Sequence, residues 1–257
     1  MSARSLSIGT LTASGASIAV ALLWLHRRRQ AGASRAEASQ DGATWTRMPV
    51  LPATSLADGA VAEAVRGAGA CVVHGAFTED EVAEMGRQIA ALEPRKLQNR
   101  RPHRWEHVHE PTAEVFQRLA ASPAIAAAVK SLLGPKTYLE KAGMLVAHPG
   151  ADAQRWHMDT PHLFANKTHL PAHSISVFVP LCELTELNGP TEFQLTTHIK
   201  ANLAKPQPQA DARCPLGSLV LYDIRVMHRG GPNRSDADRP VVYLTFSRIW
   251  YRDTLNP

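Results

Sequence analysis

Trp156-His157-Met158-Asp159 sets an imidazole and a carboxylate two residues apart. On a strand, or just past its end, such side chains leave the backbone on the same side, so both groups can reach one point. With a second histidine from elsewhere they would form a facial triad, the two-histidine, one-carboxylate ligand set of non-haem Fe(II) oxygenases. The pattern alone is weak. Twelve histidines in 257 residues let chance supply about half of one His-x-Asp, so the rest of the chain must provide the missing parts.

His228 is the candidate third ligand. It follows the apolar run Leu219-Val220-Leu221-Tyr222 and precedes the turn residues Gly230-Gly231-Pro232, a strand-end setting of the kind that collects ligands at a barrel mouth. Eleven residues on, Arg239 opens a second apolar run, Pro240-Val241-Val242-Tyr243-Leu244. An arginine beside a metal in a largely apolar barrel needs an anion, and a planar guanidinium suits a carboxylate. A dicarboxylate cosubstrate is therefore expected. Other uses of these residues stay open: a surface ion pair for His157 and Asp159, a turn histidine at 228, and a surface arginine at 239 with Arg234 close by. Zinc also accepts such ligands, although no His-Glu-x-x-His motif accompanies them. His162, His169 and His173 crowd the same region and read as loop or wall residues.

The elements that must position these groups divide into a helical and a β-rich half. Residues 57–66 have helical spacing and run into Gly67-Ala68-Gly69; residues 70–74 read as a short buried strand. Thr78-Glu79-Asp80-Glu81 is a capping box for a helix through Leu92, stopped by Pro94. Residues 95–109 hold five Lys/Arg and three His and read as a solvated basic loop over the rim, with an anion-binding loop as the functional alternative. Two alanine-rich helices follow at 112–120 and 123–133, the second ended by Gly134-Pro135. Beyond Lys136 short β-like runs dominate: 137–147, 174–180, 219–222, 225–228 and 241–249. In 174–180, Ile175, Val177 and Val179 alternate with Ser174, Ser176 and Phe178, a period of two. The expected fold class is mainly β with flanking helices (α+β), around a double-stranded β-helix of jelly-roll or cupin-like type.

The net charge of +5 invites a nucleic-acid reading until it is located. Residues 1–40 carry Arg4, Arg27, Arg28, Arg29 and Arg35 against Glu37 alone, which leaves the folded part nearly neutral and excludes that partner. Cys71, Cys182 and Cys214 are far apart, so neither a disulfide framework nor a structural zinc site is expected. Residues 5–25 carry no charge and are long enough to span a bilayer. They are expected to be an anchor with the main domain on the cytosolic side, or a cleaved targeting segment leading to an organelle. Residues 26–45 read as a linker. The division is thus 1–48 for the apolar segment and linker and 49–257 for the domain, with a helical part at 49–135 and a jelly roll at 136–252.

From about residue 56 to 251 the chain resembles the phytanoyl-CoA dioxygenase family of Fe(II)/2-oxoglutarate-dependent oxygenases. The resemblance is carried by Trp156-His157-Met158-Asp159, by Asn188-Gly189-Pro190-Thr191-Glu192-Phe193, and by His228-Arg229-Gly230-Gly231-Pro232-Asn233 with Arg239. It implies that His157, Asp159 and His228 bind Fe(II), that Arg239 pairs with the distal carboxylate of 2-oxoglutarate, and that Asn233 helps hold it. With O2 these would hydroxylate a small-molecule substrate and release succinate and CO2. Two positions depart from the family pattern: Gly230, often a serine that also touches 2-oxoglutarate, and Met158, often a glutamine. They motivate a second reading, a catalytically inactive jelly-roll binding module tethered to a membrane. The basic stretch at 95–109 suggests an anionic or CoA-linked substrate, and an anchor would suggest a lipid.

Overall fold

A computed structural model of the chain describes residues 44–56, 59–164 and 168–255. The apolar segment 5–25 and most of the linker lie outside these residues. No helix among the described residues is long and apolar enough to cross a membrane.

Among the described residues four α-helices form. α1 (Ala60–Ala68) follows Gly59 and ends at Gly69, whose φ of 91° directs its N–H back to Val65 O. A side chain at 69 would meet His198 and Val226, so glycine is required both by the turn and by close packing. α2 (Glu79–Ala90) has the expected capping box: the Thr78 hydroxyl accepts from the Glu81 N–H, and Glu81 reaches back to the Thr78 N–H. α3 (Glu114–Ala120) and α4 (Pro123–Leu133) follow, the latter with proline in its first turn and Gly134 at its end.

The described residues also form eleven strands: β1 (Val50–Pro52), β2 (Ala70–His74), β3 (Lys96–Arg101), β4 (Arg104–His109), β5 (Thr137–Ala147), β6 (Ser174–Pro180), β7 (Thr191–Gln194), β8 (Gln209–Asp211), β9 (Leu219–Asp223), β10 (Met227–Gly230) and β11 (Arg239–Arg248). The large sheet has the order β1-β2-β9-β6-β11-β5-β4-β3, and a small sheet has the order β10-β7-β8. Apart from the parallel β1–β2 edge, the pairings are antiparallel. Two packed antiparallel sheets with helices outside make the expected jelly roll.

Residues 95–109 form a hairpin, not a rim loop: β3 and β4 pair with each other and extend the large sheet beyond β5. Their charge reflects an exposed sheet edge, where charged side chains discourage pairing with another chain. The early half therefore contributes β1 to β4 as well as helices. Arg225 sits in a turn, and β10 begins only at Met227.

The large sheet is buried on both faces. Ile175, Val177, Val179, Leu219, Leu221, Val242 and Leu244 face the helices, among Val61, Val65, Phe116, Ile125 and Leu132. Their neighbours Phe178, Val220, Tyr222, Val241 and Tyr243 face the small sheet, among Phe193, Ala210 and Val226. Each fully buried side chain of this size contributes about 1.5–3 kcal/mol. The alternation in β6 separates these two interiors, with no solvent face: all seven of its residues are buried.

Candidate metal centre

His157 lies in the loop after β5, and His228 in β10, yet their backbones meet as an isolated antiparallel bridge. His157 N–H donates to His228 O at 3.0 Å, and His228 N–H returns a bond to His157 O at 2.8 Å. Two residues on, Asp159 N–H donates to Ile224 O at 3.0 Å. These main-chain bonds bring the three side chains together: the ligand-capable atoms of His157, Asp159 and His228 all lie within 4.8 Å of one another. On the other edge of β10, Phe193 of β7 stands opposite His228, and Tyr222 packs on the same imidazole at 4.8 Å between ring centroids.

The hydrogen bonds around the triad fix its polarity. His157 Nδ1 lies 2.8 Å from Arg155 O, and His228 Nδ1 lies 3.0 Å from Val226 O. A carbonyl can only accept, so both Nδ1 atoms carry the proton and both Nε2 atoms present lone pairs. Burial holds the His228 pKa below its ordinary value despite the Asp159 charge, with His157 pushing the same way. Asp159 Oδ2 accepts from the Tyr222 hydroxyl at 3.0 Å; burial, then the Asp159 charge, raises that phenol well above its usual pKa, so it stays a donor. Asp159 Oδ1 then faces His228 Nε2 at 3.5 Å. Two imidazole lone pairs and a carboxylate converge, a donor set suited to one cation. Each imidazole is oriented by a carbonyl and the carboxylate by a phenol, the usual support of a metal site.

Arg239, the first residue of β11, is 4% exposed. Among the described residues nothing accepts from its guanidinium, and its Nε is buried without a partner. Burial lowers its pKa, with only the Cys182 side chain acting the other way. Arg234, the alternative, is exposed with its N–H bonded to Leu187 O. Sequence reasoning missed a second buried guanidinium. Arg104 of β4 is paired in register with Ala147 of β5, which is paired with Arg239, so both arginines project from one face across a small residue. Arg104 donates to the carbonyls of Asp152, Gly230 and Gly231. Burial and then nearby Arg239 bring it down to about 10. The available signal was the alternation Arg104, Glu106, Val108 within the charged stretch.

Gly230 takes its meaning from the same corner. A Cβ there would lie 2.7 Å from Arg104 Nη1 and 2.9 Å from Gln154 Oε1, and Gln154 already accepts from Gly230 N–H at 2.8 Å. The space a serine would take is filled by these two side chains. Asn233 is spent within its own turn: its amide donates to Ala147 O and Ala237 O, and its oxygen accepts from Ser235. It ties the turn to β5 just where Arg239 starts. The two turn motifs pack on each other, since Gly231 N–H donates to Pro190 O at 3.0 Å. Gly189, at φ 70°, leaves no room for a side chain against Gly231 and Pro232. Beside them, Arg229 bonds Glu192 at 2.6 Å and stacks 4.5 Å over Trp156.

The remaining histidines stay outside the triad. His173 is 1% exposed, packs 4.2 Å from the Tyr251 ring, and among the described residues finds no hydrogen-bond partner for either nitrogen. Burial, then the Arg225 charge, pushes its pKa down to about 4. Below the ordinary value of about 6.5 the unfolded chain takes up a proton that the folded chain refuses. Stability should therefore fall as pH drops from about 6.5 towards 4, by up to about 1.4 kcal/mol per pH unit from this group. Urea unfolding at stepped pH should show a shallower slope in His173→Leu; an unchanged slope would remove His173 as its source.

The model of the phytanoyl-CoA dioxygenase (PhyH) family matches residues 65–241, the stretch that contains the triad and Arg239. The chain belongs to the phytanoyl-CoA dioxygenase family. Family members are 2-oxoglutarate-dependent dioxygenases that use Fe(II), 2-oxoglutarate and O2. Among characterised relatives of this family member, dioxygenase trt7 of Aspergillus terreus (strain NIH 2624 / FGSC A1156) is 33% identical over 106 residues, 38% of this chain. That match spans 37% of the relative's length. Among solved structures, SnoN, a non-heme alpha-ketoglutarate-dependent epimerase from nogalamycin biosynthesis, superposes with a TM-score of 0.61 at 18% identity, covering 76% of this chain and 81% of that one. HygX from Streptomyces hygroscopicus, solved with nickel, 2-oxoglutarate and hygromycin B, gives 0.58 at 15% identity, covering 73% and 86%. At such identities the likeness speaks to the fold.

Proposed function

We propose that this family member is an Fe(II)- and 2-oxoglutarate-dependent dioxygenase that oxidises a small molecule, with His157, Asp159 and His228 as the metal ligands. The observation that carries the reading is the convergence of His157, Asp159 and His228 in the same interior as a buried arginine. Three acceptor groups converge and call for a cation, while Arg239 is buried with no anion. An uncompensated buried charge costs several kcal/mol, which a bound carboxylate would offset.

Each residue then has a task. His157 and His228 offer Nε2 because their Nδ1 protons are held by Arg155 O and Val226 O. Asp159 is held by Tyr222, leaving Oδ1 turned towards His228. Arg239 binds the distal carboxylate of 2-oxoglutarate, with Arg104 alongside to add positive potential in a site of low dielectric. Asn233 acts through its turn, setting where β11 begins. When bound, iron with 2-oxoglutarate and O2 supplies the oxidising power, with succinate and CO2 as co-products. Tyr222, Phe178 and Phe193, packed together at 5.1–5.4 Å, exclude water beneath the triad.

Anaerobic addition of Fe(II) and 2-oxoglutarate should produce a weak visible charge-transfer band and raise the unfolding temperature. Folded protein that shows neither, and releases no succinate in air, would sink the proposal. The inactive-module reading leaned on Gly230, Met158 and the apolar segment 5–25; of these, Gly230 has a local reason, since Arg104 and Gln154 occupy the space that this glycine vacates.

A further inference from the structure

The interior face of the large sheet changes character at the triad. On the Arg239 side the in-register rows are Glu106, Leu145 and Val241, then Val108, Gly143, Tyr243, Phe178, Val220 and Val72, a mostly apolar lining in which Glu106 accepts from Tyr243. The next row runs Tyr222, Ser176, Thr245 and Lys141. Residues opposite one another in antiparallel strands share a face, so Ser176, Thr245 and Lys141 project to the side from which Tyr222 reaches Asp159. The outer row, Ser174, Ser247 and Tyr138, lies on that face too. A register shift between Thr245 and Phe246 turns Glu140 inward, where it accepts from Ser247 at 2.5 Å. From β9 to β5 both rows are polar, and Ala70 of β2 ends the inner one.

Buried polar groups cost free energy unless hydrogen-bonded, and apolar replacements of the same shape are often neutral or stabilising. A fold that needed only a core would carry valines here, as it does on the other face of the same strands. The rows meet this need within the protein: Ser176 bonds Thr245 at 3.0 Å, Ser247 bonds Ser174 at 2.9 Å, Ser174 donates to Phe246 O at 2.8 Å, and Lys141 pairs with Asp253 at 2.6 Å. Hydroxyls retain further donor and acceptor capacity. Against the outer row lies a cavity of about 410 Å³, walled by Tyr138, Glu140, Trp250, Tyr251 and Arg252. With Ile249 completing the wall, it offers aromatic faces and both charge signs to a small ligand.

We infer that the row of Ser176, Thr245 and Lys141, with the adjoining cavity, forms the substrate subsite, and that the substrate is a small molecule bearing several hydroxyl or amino groups, not an acyl chain. The inference rests on the oxygenase reading, which makes the triad the reacting centre and places 2-oxoglutarate on the Arg239 side. It replaces the lipid-linked expectation drawn from the segment 5–25.

The test uses the full chain loaded with Fe(II) and 2-oxoglutarate, and reads succinate release against two sets of probes. One set comprises free sugars, amino sugars and hydroxylated amino acids; the other comprises dodecanoate and dodecanoyl-CoA. At least one polar probe should raise succinate release about tenfold or more, while the acyl probes do not. The same polar probe should raise the unfolding temperature of protein loaded with Ni(II) and N-oxalylglycine, a reading independent of turnover. Thr245→Val and Ser176→Ala should each weaken that response about tenfold, the worth of one lost hydrogen bond, with circular dichroism and melting confirming their folds. Stimulation by an acyl probe, no stimulation by any polar probe, or a full response in both folded variants would overturn the inference. Failure of 2-oxoglutarate itself to raise the unfolding temperature would overturn the oxygenase reading and this one with it. A normal 2-oxoglutarate shift with acyl-only stimulation would remove the polar subsite alone.

Discussion

Asp159→Ala should reduce succinate formation to below about 1% of wild type and weaken Fe(II) binding by more than about 100-fold. Loss of a group that merely supports a metal ligand typically costs about 10–100-fold, and Asp159 is itself a proposed ligand. It is also the carboxylate of the set, so its loss leaves two neutral imidazoles to hold a divalent cation. A smaller effect falls on stability. The Tyr222 hydroxyl, buried beneath Asp159, would lose its acceptor, at about 1–3 kcal/mol. Calorimetric titration with Fe(II) under argon, alongside succinate release, separates the two effects. Turnover above about a tenth of wild type from a metal-tight Asp159→Ala protein would rule out this triad.

Arg239→Met should act with opposite signs on the empty and the loaded protein. Without 2-oxoglutarate the guanidinium is buried and unpaired, and an apolar side chain of similar length removes that penalty. Such replacements are often neutral or stabilising by about 1–4 kcal/mol. With 2-oxoglutarate the same change removes the partner of a desolvated carboxylate, worth about 3–5 kcal/mol, or roughly 150- to 4,000-fold in affinity. Urea unfolding without ligand and titration with 2-oxoglutarate give the two numbers. If Arg239 is instead a structural residue, the empty protein will lose stability and the affinity will hardly change.

The two best-read elements in the sequence were those whose ends are set by local chemistry. The Thr78 capping box and the proline-to-glycine span of α4 follow from orphan backbone groups, which neighbouring residues satisfy. β5 and β6 were legible as well, because long runs buried on one or both sides leave a strong periodic signal. β1, β7 and β8 are three or four residues long, too short to show any period. The β3–β4 hairpin was hidden for a different reason. Its outward residues are charged because the strand closes the sheet edge, and its inward residues Arg104 and Glu106 are charged because they face the ligand chamber, where Tyr243 donates to Glu106 at 2.7 Å. A strand polar on both faces carries no hydrophobic alternation.

The triad was legible through spacing, but its geometry was not. His157 and Asp159 belong to no regular strand; they are held by backbone bonds to residues 228 and 224, a pairing about 70 residues distant that local pattern does not encode. The unpaired state of Arg239 was likewise invisible, since it depends on which acceptors fail to come near.

The alternation within β6 separates two kinds of inheritance. Ile175, Val177 and Val179 hold the helices, while Ser174, Ser176 and Phe178 look into the chamber. Because adjacent side chains point to opposite sides, a change at an inner position leaves the outer packing intact. Divergence in what the chamber accepts can then proceed without eroding the stability of the shell, one inward residue at a time.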